Sequence, residues 1–337
     1  MIVCGLLTAL VVVLGVVWRT RWDSPDIAVP RPPSPAPAVP AVPVATPDAT
    51  AQRATGAPPA APAVPPLPPL PPAMASMLAT NTDAHGLGEL GGRFFAEGDY
   101  PTALRIFQRN LELAPEDEEV WIRLGRTLTL LRQPDEATRH YREALKRVPD
   151  HTDALNNLAN LLADQGNYAE ATNLLHTALR AMPENSITHN NLGRVLARDR
   201  QLVPALARFE EAARLDPEYF EARYNLGTAL LAQDRIVEAS INLQVAVRLN
   251  PRHAQSRQLL GACLGKMGQL RDASVQFREA IQLDPRLIVA YVNLGNALVE
   301  LKQPAEAAAV YQAALRLQPN LPAAAAGLQR ARAAGAP

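Results

Sequence analysis

Residues 118–151 read EEVWIRLGRTLTLLRQPDEATRHYREALKRVPDH, and this stretch decides the fold because the same pattern recurs along the chain. Apolar side chains at its places 4, 7 and 11, among them Trp121 and Leu128, have the i, i+3, i+7 spacing of one helix face. Places 20, 24 and 27 repeat this for a second helix, as in Ala137 and Tyr141. The stretch therefore predicts a helical hairpin.

The hairpin repeats with a period of 34 residues, and seven units run from residue 84 to residue 321. A proline marks place 32 of every unit: Pro115, Pro149, Pro183, Pro217, Pro251, Pro285 and Pro319. Place 7 is always leucine, place 8 is glycine or alanine, place 20 is alanine, and place 24 is large and apolar. A period of about 20–50 residues indicates a solenoid of stacked units.

This pattern resembles the tetratricopeptide repeat (TPR) family over residues 84–337. One unit has the complete signature, namely Trp121, Gly125, Leu128, Ala137, Tyr141, Ala144 and Pro149. The resemblance implies an all-α solenoid of seven antiparallel helix pairs that form a right-handed superhelix with a concave groove. The first unit departs most from the family pattern, with Leu87 in place of an aromatic residue and Asn110 where alanine is usual.

The sequence predicts four regions. A transmembrane helix (signal anchor) is expected at 1–18, a disordered Pro/Ala-rich linker at 19–83, the repeats at 84–321 and a capping helix at 322–337. The expected repeat units are 84–117, 118–151, 152–185, 186–219, 220–253, 254–287 and 288–321.

The anchor prediction rests on the run MIVCGLLTALVVVLGVVW, which has no charged side chain before Arg19 and Arg21. As a helix it would extend about 27 Å, close to the thickness of a hydrocarbon core. A cleaved signal peptide is the alternative, although the run lacks a basic start. The two arginines favour the repeats on the cytoplasmic side, with an extracytoplasmic domain as the alternative. We therefore expect a single-pass membrane protein with the bilayer as one partner.

The linker prediction rests on composition. Eighteen of the 31 prolines lie between Pro25 and Pro72. Such a tract favours polyproline II, a semi-rigid spacer. A ligand for aromatic-lined grooves, formed by the PxxP-like pieces around Leu67 and Leu70, is the alternative, but a spacer explains the composition equally well.

The resemblance places ligand contacts on the first helix of each unit, where asparagine recurs at places 5, 6 and 9. A side-chain amide offers a donor and an acceptor, which is what one peptide unit of an extended chain requires. The expected peptide-binding residues of the concave groove are Asn156, Asn157, Asn160, Asn190, Asn191, Arg194, Arg198, Tyr224, Asn225, Thr228, Asn293 and Asn296.

Two alternatives stay open for these residues. The asparagines are also compatible with a family consensus that is independent of any ligand, and Glu89, Arg123 and Leu259 interrupt them at place 6. Because of these interruptions, we expect the middle units to bind a ligand best. Arg194 and Arg198, one helical turn apart, would either take a ligand carboxylate or form solvated ion pairs with neighbouring acids.

Charge and motifs argue against several classes of function. The 33 Lys+Arg balance 33 Asp+Glu, so nucleic acid is not an expected partner. Residues 84–337 contain no nucleophile elbow, phosphate loop or HExxH motif. Cys4 and Cys263 lack metal-site or haem spacing, and His189 is expected to pack in the core. We expect no enzyme, no metal and no cofactor.

These observations predict a membrane-tethered TPR scaffold. It would bind a peptide or protein segment in its groove and recruit it to a membrane-associated complex. Two alternatives are a structural assembly subunit that packs on other membrane proteins and a substrate-targeting subunit of a separate enzyme.

Overall fold

The computed structural model describes residues 69–335, which form sixteen α-helices and no strand. The all-α class predicted from the sequence is confirmed. The helices are α1 (Pro72–Thr80), α2 (Ala84–Glu97), α3 (Tyr100–Leu113), α4 (Glu118–Leu130), α5 (Pro134–Arg147), α6 (Thr152–Asp164), α7 (Tyr168–Ala181), α8 (Ser186–Arg198), α9 (Leu202–Leu215), α10 (Phe220–Ala232), α11 (Ile236–Leu249), α12 (Ala254–Lys266), α13 (Leu270–Leu283), α14 (Ile288–Glu300), α15 (Pro304–Leu317) and α16 (Pro322–Ala333).

The described helices belong to two compact bodies. The first body contains α1–α5, and the second contains α6–α16. In each body a first helix packs against the second helix of its own pair, and that second helix packs against the next first helix. In the second body the first helices α6, α8, α10, α12 and α14 also contact one another in order. This row of first helices carries all twelve candidate groove residues.

The core of each pair depends on a small residue that faces a large one. A Cβ atom at Gly125 would lie 2.6 Å from the ring of Tyr141, and one at Gly295 would lie 2.6 Å from the ring of Tyr311. The third unit replaces this combination by Ala159 and Leu175, both fully buried. Places 8 and 24 therefore share a volume, because protein interiors are close-packed. The fifth unit fills less of it, with Gly227 and Leu243.

The turn between the two helices of each unit requires a left-handed residue at place 15. Glycine supplies it in three units, for example Gly98 with φ +84°. In the other four units a residue with a side chain adopts the same conformation. These are Arg132 (φ 59°), Arg200 (φ 62°), Asp234 (φ 59°) and Lys302 (φ 58°). This place was not singled out from the sequence, because glycine occurs there in only three units of seven.

Helix α1 differs from the sequence prediction, which extended the linker to residue 83. Its first residue is Pro72, whose fixed φ suits the start of a helix. Its side chain Leu78 is buried in a cluster with Leu87 and Ile106. The end of the proline-rich tract therefore contains a helix whose apolar face packs on the first repeat pair.

The predicted membrane localisation is contradicted by the structure. Within residues 69–335 we find no helix with the length and apolar character needed to cross a bilayer. The repeat helices have 13 or 14 residues, as in α10 and α11, and a bilayer span needs about 20 apolar residues. Residues 1–18, on which the localisation rested, and most of the predicted linker lie outside the described residues.

Candidate functional site

The candidate residues divide into those that bond to neighbouring units and those that do not. Asn156 and Asn191 belong to the first group. Asn156 Nδ2 donates to Thr188 Oγ1 at 2.7 Å and to the carbonyl oxygen of Thr152 at 2.9 Å. Asn156 Oδ1 accepts from Asn191 Nδ2 at 2.8 Å. Both asparagines are about 95% buried, with exposures of 6% and 5%. Their amides therefore join α6 to α8.

Asn190 and Asn225 repeat this arrangement one unit later. Asn225 Nδ2 donates to Asn190 Oδ1 at 2.9 Å, and Asn190 Nδ2 donates to the Tyr219 hydroxyl at 3.3 Å. Burial raises the pKa of Tyr219, which keeps the hydroxyl protonated near neutral pH. In both cases place 6 of one unit donates to place 5 of the preceding unit, 35 residues earlier. These four amides form a structural ladder.

The ladder is incomplete towards the C-terminus. Asn293 and Gln258 occupy the corresponding places 6 and 5, with exposures of 5% and 6%. Among residues 69–335, however, neither Asn293 Nδ2 nor Gln258 Nε2 has a hydrogen-bond partner. Asn293 is thus buried, and its donor is not used within the described fold.

Three further candidates are held by their own surroundings. Asn296 Oδ1 accepts from the Tyr311 hydroxyl at 2.7 Å and from Arg330 Nη2 of α16 at 2.8 Å. Thr228 Oγ1 donates to the carbonyl oxygen of Tyr224 at 2.8 Å. The Tyr224 ring meets His253 edge-on, with 5.0 Å between centroids. These side chains support the row of first helices.

The two arginines have different environments. Arg198 forms an ion pair with Asp164 of the preceding unit, as the solvated ion-pair alternative required. Arg194 is exposed, and its nearest recorded polar contact is Asn191 Oδ1 at 3.5 Å. Within the described residues no carboxylate forms an ion pair with Arg194. Its guanidinium is therefore available to a ligand.

Asn157 and Asn160 are the remaining candidates, and both lie on α6 with half-buried side chains. Neither side chain forms a hydrogen bond with another residue of the 69–335 range. The available polar groups of the groove are consequently Asn157, Asn160 and Arg194. We call these three residues the free amide–arginine set. They lie on neighbouring first helices, α6 and α8, of the second body.

The metal-ligating residue types of the described chain do not cluster. Residues 69–335 contain no group of three His, Cys, Asp or Glu side chains placed to hold a metal ion. Burial raises the pKa of the Cys263 thiol to about 12, so it is a thiol and not a thiolate at neutral pH. His189 is buried, with Nε2 2.9 Å from the carbonyl oxygen of Pro183.

Comparison with known sequences identifies the repeat. Residues 73–334 match the sequence-family model described as the cilia and flagella-associated protein 70 C-terminal domain. A stretch of 70 residues is 37% identical to the peroxisomal targeting signal receptor of Candida glabrata. That stretch is 21% of this chain and covers only 12% of the receptor.

Solved structures share the fold. YrrB, described as a TPR protein with an unusual peptide-binding site, is 25% identical with a TM-score of 0.51, and the match covers 56% of this chain and 97% of YrrB. PilF of Pseudomonas aeruginosa is 21% identical with a TM-score of 0.57, covering 64% and 96%. The Cut9–Hcn1 hetero-tetramer of the APC/C is 17% identical with a TM-score of 0.57, covering 77% and 48%.

The family match extends from residue 73 to residue 334, far more than half of the 337 residues. It includes α1, which the sequence analysis had assigned to the linker, and every repeat pair. The solved relatives have the same helical solenoid. The chain therefore belongs to the TPR family of the cilia and flagella-associated protein 70 C-terminal domain.

Proposed function

We propose that this chain is a non-catalytic scaffold that binds an extended segment of another protein along the first helices of its second body. The free amide–arginine set carries the proposal. Asn157 and Asn160 present donors and acceptors on α6 that the described residues do not use, and Arg194 on α8 has a single 3.5 Å contact, with Asn191 Oδ1. An amide pair of this kind matches one peptide unit, and the guanidinium matches a carboxylate or carbonyl oxygen.

The comparisons support a peptide ligand in general terms. YrrB is described as having a peptide-binding site, and its matched region is nearly its whole length. The site proposed for this chain is narrower than the twelve-residue groove expected from the sequence. Asn156, Asn190, Asn191 and Asn225 are left out, because their amides already bond to one another.

The test is a triple variant, Asn157→Ala with Asn160→Ala and Arg194→Ala. Peptides are first selected on the full-length chain from a random 12-residue phage library, and their affinities are then measured by calorimetry. We expect the triple variant to bind the selected peptides at least tenfold more weakly. The far-UV circular dichroism and the melting temperature should stay unchanged, because Asn157 and Asn160 form no side-chain hydrogen bond within the described residues and Arg194 forms only the 3.5 Å contact with Asn191 Oδ1.

Asn173→Ala with Gln244→Ala is the matched control, since both amides are exposed on second helices. This double variant should bind as tightly as the natural chain. Equal binding by the triple variant and the natural chain would remove the free amide–arginine set from the proposal.

A second candidate function is assembly through the second helices. Val203, Val237 and Ile241 on α9 and α11 are 76%, 62% and 55% exposed. Apolar side chains at equivalent places of successive units favour a protein contact. Val237→Lys with Ile241→Lys should reduce any association of the full-length chain in sedimentation velocity. A chain that is monomeric before this change, at all concentrations tested, would argue against self-assembly through these helices.

A further inference from the structure

The first body contains a cavity that the groove in the second body does not explain. It has a volume of about 350 Å³ and lies between the first helices α2 and α4. One wall consists of Gly88, Gly92 and Phe95, spaced i, i+4, i+7 on α2, together with Glu89, whose Oε1 lies 3.5 Å from His85 Nε2. We call this cavity the glycine cleft. The sequence analysis expected the middle units to bind a ligand best, because Glu89 and Arg123 interrupt the asparagine series in the first two units.

The opposite wall is charged. It consists of Glu119, Arg123 and Arg126, which have the same i, i+4, i+7 spacing on α4. Arg123 Nε donates to Glu119 Oε1 at 2.9 Å, and Arg123 Nη1 donates to the carbonyl oxygen of Gly88 at 3.1 Å. Glu119 is therefore neutralised within the wall, and Arg123 is fixed in place across the cleft.

Arg126 is the unneutralised charge of this wall. Its guanidinium carbon lies 5.2 Å from the centroid of the Phe95 ring, and its side chain is exposed. No carboxylate of residues 69–335 forms an ion pair with it. Stacking on an aromatic face orients the guanidinium without consuming its hydrogen-bond donors. A charge-assisted hydrogen bond from Arg126 is thus available to an anionic group that enters the cleft.

Gly88 and Gly92 are glycine for different physical reasons. A Cβ atom at Gly88 would lie 3.1 Å from Arg123 Nη1 and 3.2 Å from Asn110 Nδ2. Asn110 stands where the other six units have alanine, so Gly88 makes room for a larger side chain behind it. A Cβ atom at Gly92, in contrast, would have no neighbour within 4 Å.

Packing therefore does not explain why residue 92 is glycine, although glycine is among the least favourable residues inside a helix. Its effect is to leave the helix backbone bare on the side of the cleft. Bare backbone permits a ligand chain to approach closely. The volume of the cleft lies at the lower end of the range found for ligand pockets.

We propose that the glycine cleft binds the carboxylate side chain of an acidic residue in an extended peptide. The carboxylate would accept hydrogen bonds from Arg126, and the peptide chain would lie against Gly88 and Gly92. Phe107 also lines the cleft. This site is independent of the free amide–arginine set, which lies in the other body.

The test uses the full-length chain and a random 12-residue peptide library. Each peptide is fused through its C-terminus to a phage coat protein, so no free terminal carboxylate is present and an acidic preference reports side chains. We expect a class of selected peptides with Asp or Glu at one fixed position. Replacing that residue by Asn or Gln in the synthetic peptide should weaken binding at least tenfold in calorimetry.

Two variants test the two walls. Arg126→Gln removes the cation, and Gly92→Leu fills the open side. Each should weaken the binding of the acidic peptides at least tenfold, and neither should lower the melting temperature of the chain. Arg93→Gln, on the same helix but outside the cleft, is the control and should bind normally. The Asn157→Ala, Asn160→Ala and Arg194→Ala triple variant should also retain the acidic class.

The proposal is overturned if no acidic position is selected or if the preference persists in Arg126→Gln. It is also overturned if Gly92→Leu binds the acidic peptides as well as the natural chain. Loss of the acidic class in the triple variant alone would assign the carboxylate to Arg194, which would support the proposed function and not the cleft.

Discussion

Asn191 Nδ2 donates a hydrogen bond to Asn156 Oδ1 at 2.8 Å, although the two residues are 35 positions apart in the chain. Both side chains are buried, so the bond is shielded from water. A buried amide that loses its partner retains the desolvation penalty of the unsatisfied group. The pair therefore contributes to the stability of the stacked units and is not available to a ligand.

We predict that Asn156→Ala and Asn191→Ala each lower the free energy of unfolding by about 1–3 kcal/mol. The double variant should lose less than the sum of the two, because the second substitution removes a group that the first left unpaired. Urea unfolding of the full-length chain measures both quantities. Asn157→Ala is the control and should change stability by less than about 0.5 kcal/mol. Strict additivity would contradict a direct bond.

The left-handed turn residues predict a substitution that stabilises the chain. Arg200 has φ 62°, a conformation that disfavours any residue with a Cβ atom. Arg200→Gly should raise the free energy of unfolding by about 0.5–1 kcal/mol, since relief of strain exceeds the added entropy of the unfolded chain. Arg200→Ala keeps the strain and should not stabilise. Equal effects of the two substitutions would show that the arginine side chain, and not the backbone, matters.

Because places 8 and 24 share a volume, a smaller residue at place 24 should reduce the cost of a larger residue at place 8. Gly125→Ala should destabilise the chain by about 1–3 kcal/mol, because the new methyl group meets the Tyr141 ring. In a Tyr141→Leu background the same substitution should cost clearly less, since Ala159 and Leu175 already form this combination in the third unit. Thermal unfolding of the four chains of this cycle measures the difference. A cost that is independent of residue 141 would contradict the shared volume.

His253 predicts a dependence of stability on pH. Its Nδ1 accepts from the backbone N–H of Ser256 at 3.2 Å, and burial lowers its pKa, a shift that nearby Glu221 partly opposes. The unfolded chain therefore takes up a proton more readily than the folded chain. This contribution to stability is present above the ordinary pKa of histidine, about 6.5, and is lost as pH falls below it.

His253→Asn keeps a side-chain acceptor at the start of α12 and does not titrate. We expect the variant to reduce the loss of stability between pH 7.5 and pH 5, measured by urea unfolding. His140 and His176 also have pKa values lowered by burial, so some slope should remain. His253→Ala should show the same reduced slope at lower stability. A slope equal to that of the natural chain in both variants would exclude His253 as a source.

The helix pairs were predictable because their signal is periodic and local. Leucine at place 7 and alanine at place 20 recur in every unit, and each place reports one face of one helix. Helix α1 escaped prediction because its large apolar residues, Met74, Met77 and Leu78, directly follow a proline-rich segment. Burial of Leu78 depends on Leu87 and Ile106, which become its neighbours only after the first pair has formed.

The site was less predictable for a geometric reason. Sequence position told which helix face carries Asn156, Asn157, Asn190 and Asn191. It did not tell how far one helix is displaced along its neighbour, and that displacement decides whether place 6 reaches place 5. Adjacent asparagines such as Asn156 and Asn157 consequently have opposite roles. The glycine cleft was missed because two glycines form part of its wall. Glycine has no side chain, so these positions leave no pattern of polar residues.

The asparagine ladder has a consequence for cooperativity. Repeat proteins behave approximately as one-dimensional chains in which each unit has its own stability and a coupling to its neighbours. The bonds of Asn191 to Asn156 and of Asn225 to Asn190 strengthen the coupling among the third, fourth and fifth units. Opening any one of these three breaks a side-chain hydrogen bond to a neighbouring unit. They should therefore exchange their amide protons as one block, while units without such a bond open separately.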